Sequence, residues 1–212
     1  PNLIDSAASP CKENVQLGDD VDILKFPWLK TNPADGGRYI NCGSVIIEDA
    51  ELGRNVGTYR CQVKGPNKIG VNPEPYQHGW TMLMNAKKRG EKSVKAAVVI
   101  GADPIVFAMS SSKVAGQGQD ELAIAGGLRN KAVDVVKCET SDILVPAHAE
   151  IIIEGEIPLD RDFEEEGPFG EMYGYLGLKK DENFYMNITA VTHRTKPWII
   201  NNYTGVMRGF LT

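Results

Sequence analysis

Three apolar runs set the limits of what this chain can fold into. "SVKAAVVIG" (residues 93–101), "PIVFAMS" (104–110) and "AEIIIEGEIPL" (149–159) each have the length and content of a strand buried on both faces. None approaches the roughly 20 apolar residues that a helix needs to cross a bilayer, so no membrane span is expected. "NFYMNITAVTHR" (183–194) and "PWIINNY" (197–203) read as closing strands.

The earlier part of the chain adds a hairpin. "RYINCGSVIIED" (38–49) and "VGTYRCQVK" (56–64) read as strands joined by the turn "AELGRN", and residues 65–77, rich in Pro, Gly and Asn, read as a loop. Residues 78–92 have a helical pattern, with Trp80, Leu83, Met84 and Lys87 on one face. Lys87, Lys88 and Arg89 lie in its last turn and Gly90 stops it. A polar loop, "SSSKVAGQGQ", leads to a second helix over 120–132, with Asp120 as N-cap and Glu121 in the first turn. Many strands and two or three helices give an α+β class, a barrel-like sheet with helices packed outside.

Residues 1–37, with "SAASPC", "LGDDVD" and "TNPADGG", read as an irregular connecting segment, and 38–200 as the domain proper. The chain starts at Pro1 rather than Met and stops at "MRGFLT", so it is expected to be part of something longer, with 201–212 leading onward. A hydrophobic content of 42% fits a soluble globular protein. The net charge of -5, without a basic stripe, excludes a nucleic-acid-binding footprint. Four cysteines without CxxC spacing point away from zinc or redox motifs and toward a reducing, cytoplasmic setting.

Three groups of residues carry candidate chemistry. Arg60 falls within the second strand of the hairpin, where alternation puts it beside Thr58 and Gln62. It is either part of a solvated polar face or a carboxylate clamp, because a guanidinium matches a carboxylate with two parallel bonds. "EEEGPFGE" (164–171) is either a solvated charge run or a stiffened loop holding Glu166 and Glu171 in fixed relation. Paired carboxylates in different surroundings can divide acid and base duties. Asn55 in the hairpin turn, with His78 and Glu121 at the starts of the two helices, are hard O/N donors suited to manganese or magnesium. Their spacing alone does not join them. His148 and His193 have no evident partners.

Taken together, "GRNVGTYR", "YQH", "SSS" before "DELAIAGGL", "VVKCETSDILVPAHAE" and "EEEGPFGEMYGY" resemble the UbiD family of decarboxylases that use prenylated FMN. The resemblance implies a split β-barrel of the flavin-reductase type with flanking helices. It implies that Arg60 meets the substrate carboxylate beside the flavin, with Glu166 and Glu171 completing a Glu–Arg–Glu network and Glu171 donating the proton. It further implies that Asn55, His78 and Glu121 ligate a divalent metal, usually Mn²⁺, and that Gln77, Ser111 and Ser112 contact the cofactor, with K⁺ nearby. The implied reaction is reversible non-oxidative decarboxylation of an aromatic, heteroaromatic or α,β-unsaturated acid or thioester, through a covalent adduct with the cofactor. CO₂ is the other product. A flavin prenyltransferase would supply the cofactor, and a C-terminal region beyond this chain would make homo-oligomer contacts. Two alternatives stand beside this: one subunit of a carboxylating complex, and a metal-dependent hydrolase built on Asn55, His78 and Glu121.

Overall fold

The computed structural model describes residues 1–171 and 173–202. Along the chain, β1 (Asn2–Leu3) and β2 (Asn14–Leu17) precede β3 (Tyr39–Ile40), β4 (Ser44–Asp49), β5 (Gly53–Thr58), β6 (Cys61–Gly65) and β7 (Lys68–Val71). Helix α1 (His78–Lys88), β8 (Ser93–Ile100), α2 (Pro104–Ser111) and α3 (Glu121–Leu128) follow. The remaining strands are β9 (Asp134–Lys137), β10 (Leu144–Pro146), β11 (Ile151–Pro158), β12 (Glu164–Glu166), β13 (Phe169–Gly170), β14 (Leu176–Gly177) and β15 (Lys180–His193).

A ten-stranded sheet dominates, in the order β3-β6-β7-β15-β11-β8-β4-β5, with β2 and β12 also pairing with β15. Among the described residues the strand path does not close into a complete barrel. The fold is nevertheless the expected α+β class, mostly sheet with few helices. β1, β9 and β10 form a second sheet, and β13 with β14 a third.

The central strands are apolar at nearly every position because both faces are covered. Val45 and Ile47 of β4, Val98 and Ile100 of β8, and Ile151 and Ile153 of β11 face one core, together with Met82, Leu83 and Ala86 of α1. Ile46, Ala97, Val99 and Ile152 face a second core, against Leu122 and Ala125 of α3 and Val135, Val136 and Val145 of the small sheet. Each Val, Ile, Leu or Met side chain among them contributes about 1.5–3 kcal/mol when fully removed from water. No helix among the described residues is long and apolar enough to cross a membrane.

Several local expectations are corrected. "PIVFAMS" is helix α2, not a strand: the Asp103 side chain accepts from the Ile105 N–H and Pro104 occupies the first turn. The 65–77 loop contains β7, which pairs with β15. α1 buries Gly79, Met82, Leu83 and Ala86, so its inner face is turned from the one centred on Trp80 and Met84. α3 ends at Leu128, just after Gly126 and Gly127 weaken the helix. Residues 197–202 form no strand, and 203–212, the bulk of the expected onward connection, lie outside the described residues. Residues 1–37 carry β1, β2 and short 3₁₀ turns, and they bury Cys11, Val21, Ile23, Phe26 and Trp28.

Candidate active site

β5 and β6 are not one strand. Pairing stops at Thr58 and resumes at Cys61, leaving Tyr59 and Arg60 in the break. Arg60 is therefore not an alternating strand residue, and its backbone carbonyl accepts from the Asn72 N–H at 3.2 Å. Its side chain reaches the acid segment, more than a hundred positions away. Nε donates to Glu166 Oε1 at 2.9 Å and Nη2 to Glu166 Oε2 at 2.7 Å, the paired-bond geometry of a guanidinium–carboxylate clamp. Nη1 donates to Glu171 Oε1 at 2.6 Å.

The surroundings of the two acids differ. The Glu166 side chain is 1% exposed and that of Glu171 is 28% exposed. Phe169, between them in sequence, has its ring centroid 4.7 Å from the Arg60 guanidinium carbon and packs against Tyr39, the rings tilted by 58° with centroids 4.6 Å apart. Burial works against the Arg60 charge, but the Glu166 bonds more than reverse this, and its pKa is raised. Burial first, and then the neighbouring Glu166 carboxylate, push up the pKa of the buried Tyr39 phenol. The acid segment is not a loose loop, since β12 pairs with β15 and β13 with β14.

Tyr59, the residue before Arg60, lines a cavity of about 510 Å³. Asn55, Gln77, His78, Ser111, Ser112 and Glu121 all line it, so residues spread over 67 positions share one wall; Arg60 is not among the lining residues. Asn55 sits within β5, opposite Ile47, rather than in the hairpin turn. Its Nδ2 donates to the Tyr59 hydroxyl at 3.2 Å, which leaves the amide oxygen as the donor atom for a cation. The Tyr59 hydroxyl also accepts from the Gly79 N–H at 3.1 Å, tying Asn55 to the start of α1 and thus to His78. Glu121 opens α3, accepts from the Val56 N–H at 2.9 Å, and has a pKa raised by burial. No group of three or more His, Cys, Asp or Glu converges for a metal among the described residues. The Asn55–His78–Glu121 set offers one imidazole, one carboxylate and one amide, a donor set that fits a hard divalent ion.

Sequence reasoning missed several cavity residues, four of which bring polar groups close to the predicted ones. Thr58 is hydrogen-bonded to Ser110 and to Ser111 at 2.9 Å each, and Tyr59, Ser110 and Lys113 also line the wall. Adjacency to Asn55, Arg60 and the serine run was the signal available. Glu74 ties Gln77 to β15: its N–H donates to Gln77 Oε1 at 2.7 Å and its carboxylate pairs with Lys180 at 2.6 Å. Partial burial opposes its ionisation, but Lys180 and the more distant Arg60 hold its pKa below the usual carboxylate value.

Comparison with known proteins places this geometry in context. The model of the UbiD 3-octaprenyl-4-hydroxybenzoate carboxy-lyase Rift-related domain matches residues 2–207. A phenolic acid decarboxylase of Sedimentibacter hydroxybenzoicus is 36% identical over 215 residues, covering 97% of this chain and 44% of that protein. Among solved structures, the vanillic acid decarboxylase of Sedimentibacter hydroxybenzoicus in closed form aligns with a TM-score of 0.90 at 35% identity, over 97% of this chain and 44% of that one. The UbiD-class enzyme HmfF from Pelotomaculum thermopropionicum, in complex with FMN, aligns with a TM-score of 0.89 at 36% identity, over 96% and 45%. A flavoredoxin of Desulfovibrio vulgaris, 14% identical with a TM-score of 0.51 over 79% of this chain and 78% of that one, shares the fold alone. The chain spans less than half the length of these curated and structural decarboxylase relatives.

Proposed function

The chain belongs to the UbiD family, and from that premise we propose that it carries the catalytic groups of a carboxy-lyase. The substrate is an aromatic, heteroaromatic or α,β-unsaturated acid, or the related thioester, and the reaction is reversible non-oxidative decarboxylation. One observation carries the reading: a single arginine held between two glutamates of unequal exposure.

The roles follow from the bonds. Glu166 commits both oxygens to Arg60 and is shut away from water, so it is the anchor. Glu171 commits Oε1 alone and is reachable, so it is the proton donor to the carbon that CO₂ leaves. Arg60 uses three of its five N–H donors within the triad, which leaves two for a substrate carboxylate. Bound prenylated FMN supplies the electron sink that C–CO₂ cleavage requires. Gln77, Ser111 and Ser112 would meet its polar groups. Asn55, His78 and Glu121 would hold a divalent ion such as Mn²⁺, with K⁺ as a companion ion. The proposal extends to a cytoplasmic homo-oligomer supplied by a flavin prenyltransferase. It also keeps the division into a lead-in over 1–37, the flavin-binding domain over 38–200 and an onward connection from 201.

The test is the full-length protein reconstituted with cofactor and offered a panel of aryl and unsaturated acids, read by CO₂ release and by isotope exchange at the decarboxylated carbon. Flavin absorbance should accompany activity. Glu171→Gln should retain flavin and lose ~10²–10⁴-fold in turnover, the span typical of a general acid. A loss under about tenfold contradicts the proton-donor role. A colourless protein with metal-dependent hydrolytic activity overturns the whole reading.

A further inference from the structure

The lead-in segment grips the acid segment from behind. In "TNPADGG" the Asp35 N–H donates to the Asn32 carbonyl at 3.0 Å, closing a turn with Pro33 at its second position. That turn aims the Asp35 carboxylate inward, where the residue is 4% exposed. Oδ2 accepts from the Asn32 N–H at 2.9 Å and the Thr31 hydroxyl at 3.2 Å. Oδ1 accepts from the Gly170 N–H at 2.7 Å, one residue before Glu171. The Gly36 N–H donates to the Pro168 carbonyl at 2.7 Å, two residues after Glu166. These two bonds bracket Phe169, the ring beneath Arg60.

The approach is too close for side chains. A Cβ on Gly36 would lie 2.1 Å from the Gly167 carbonyl oxygen, and one on Gly170 would lie 2.7 Å from the Asn32 amide nitrogen. Gly36 is thus packed on the Gly167 backbone and Gly170 on the Asn32 side chain, with the Asp35 carboxylate as the polar link. An ionised carboxylate at such depth is costly unless donors surround it, and three do.

We propose that Asp35 is a positioning residue for the reaction: it fixes the 168–170 backbone and thereby the distance between Glu171 and Arg60. This rests on the decarboxylase reading above. Asp35 touches neither the Arg60 guanidinium nor the cavity, so its effect passes through the place of Glu171 and leaves cofactor binding alone. Asp35→Ala removes the link. Asp35→Asn keeps one acceptor oxygen for the Gly170 N–H, one of the three contacts, and turns its NH₂ toward the Asn32 N–H and the Thr31 hydroxyl.

In the full-length, flavin-loaded enzyme, Asp35→Ala should lower kcat by about 30- to 100-fold, with KM within about threefold of wild type and flavin content unchanged. Asp35→Asn should recover at least about threefold of that loss. Hydrogen exchange of the peptide spanning 164–171 should quicken at least about tenfold in Asp35→Ala at a temperature where both proteins are folded. Loss of kcat in step with flavin content or folded fraction overturns the proposal, as does an Asn variant no better than Ala, or unchanged exchange. A flavin-loaded wild type that neither releases CO₂ nor exchanges isotope sinks the decarboxylase reading instead, and the exchange measurement then decides whether the clamp exists.

Discussion

Arg60 binds two carboxylates with geometry that an ammonium cannot copy. Lysine offers a compact point charge, whereas the guanidinium delivers parallel N–H groups from a rigid plane. Arg60→Lys therefore keeps the charge and loses the paired bonds to Glu166, which at 1% exposure has no water to replace them. A lost bond to a buried charged partner costs about 2–3 kcal/mol, which is about 30- to 160-fold in rate at 1.36 kcal/mol per decade. The expected outcome is a kcat lowered by that factor in the lysine variant, measured beside Arg60→Ala as the limiting case. A lysine variant within about threefold of wild type would mean that charge alone suffices. At this scale the sequence offered residue types and no distances. The acid cluster and the arginine each stood out, but only folding brings position 60 within 2.6–2.9 Å of 166 and 171.

Elements were legible where hydrophobic period and caps agreed. β11 and β15 follow their apolar runs, and α3 starts at the Asp120 cap, whose side chain accepts from the Leu122 N–H. α2 was misread because a continuous apolar run fits a buried strand and a buried helix alike. Asp103-Pro104 before it was the neglected signal, a cap followed by a residue suited to the first helical turn. β7 is hard to see inside a Pro- and Gly-rich stretch because it has only four residues, although it pairs with the adjacent β6 as well as with the remote β15. The β4–β5 hairpin supports a prediction of its own. Asp49 Oδ1 accepts from the Glu51 and Leu52 N–H groups at 3.0 Å each, and Oδ2 accepts from Arg89, at the end of α1. Burial would raise the Asp49 pKa, but these bonds outweigh it and the pKa is lowered. A carboxylate with a depressed folded pKa adds stability above its unfolded value of 3.8, and that stability is lost as pH falls through the lower folded value. Asp49→Asn should thus unfold at lower temperature than wild type at pH 7, and the gap should close as pH drops below about 4. A gap that stays constant from pH 7 down to pH 3 would show that Asp49 acts through shape rather than charge.

Across the whole molecule, the lead-in segment ties itself to the centre of the sheet by a buried ion pair. Lys12 Nζ lies 3.3 Å from Glu154 Oε1 and 3.0 Å from Glu139 Oε1, with the Lys12 and Glu154 side chains 2% and 1% exposed. Glu154 also accepts from the Glu139 and Thr140 N–H groups at 2.9 Å each and from the Thr140 hydroxyl at 3.0 Å. One carboxylate in β11 thus joins residue 12, the 139–140 turn and the main sheet. Nothing in "SAASPCKENV" announces this, because a lysine among turn-formers reads as surface and its partners are more than 120 positions away. An isolated buried pair is weak evidence of net stability, yet breaking one by removing a single partner costs about 3–5 kcal/mol, since the remaining charge keeps its desolvation penalty. Lys12→Met keeps the stem length and deletes the charge, so the penalty falls on Glu154. For a domain of this size, about 2–4 °C per kcal/mol gives a fall of roughly 6–20 °C in the unfolding midpoint of the full-length protein. Lys137→Met serves as the control, because Lys137 and its partner Asp142 are both exposed, and it should leave the midpoint in place. If both variants melt with wild type, Lys12 is a dispensable surface residue and the lead-in is held by its apolar contacts alone.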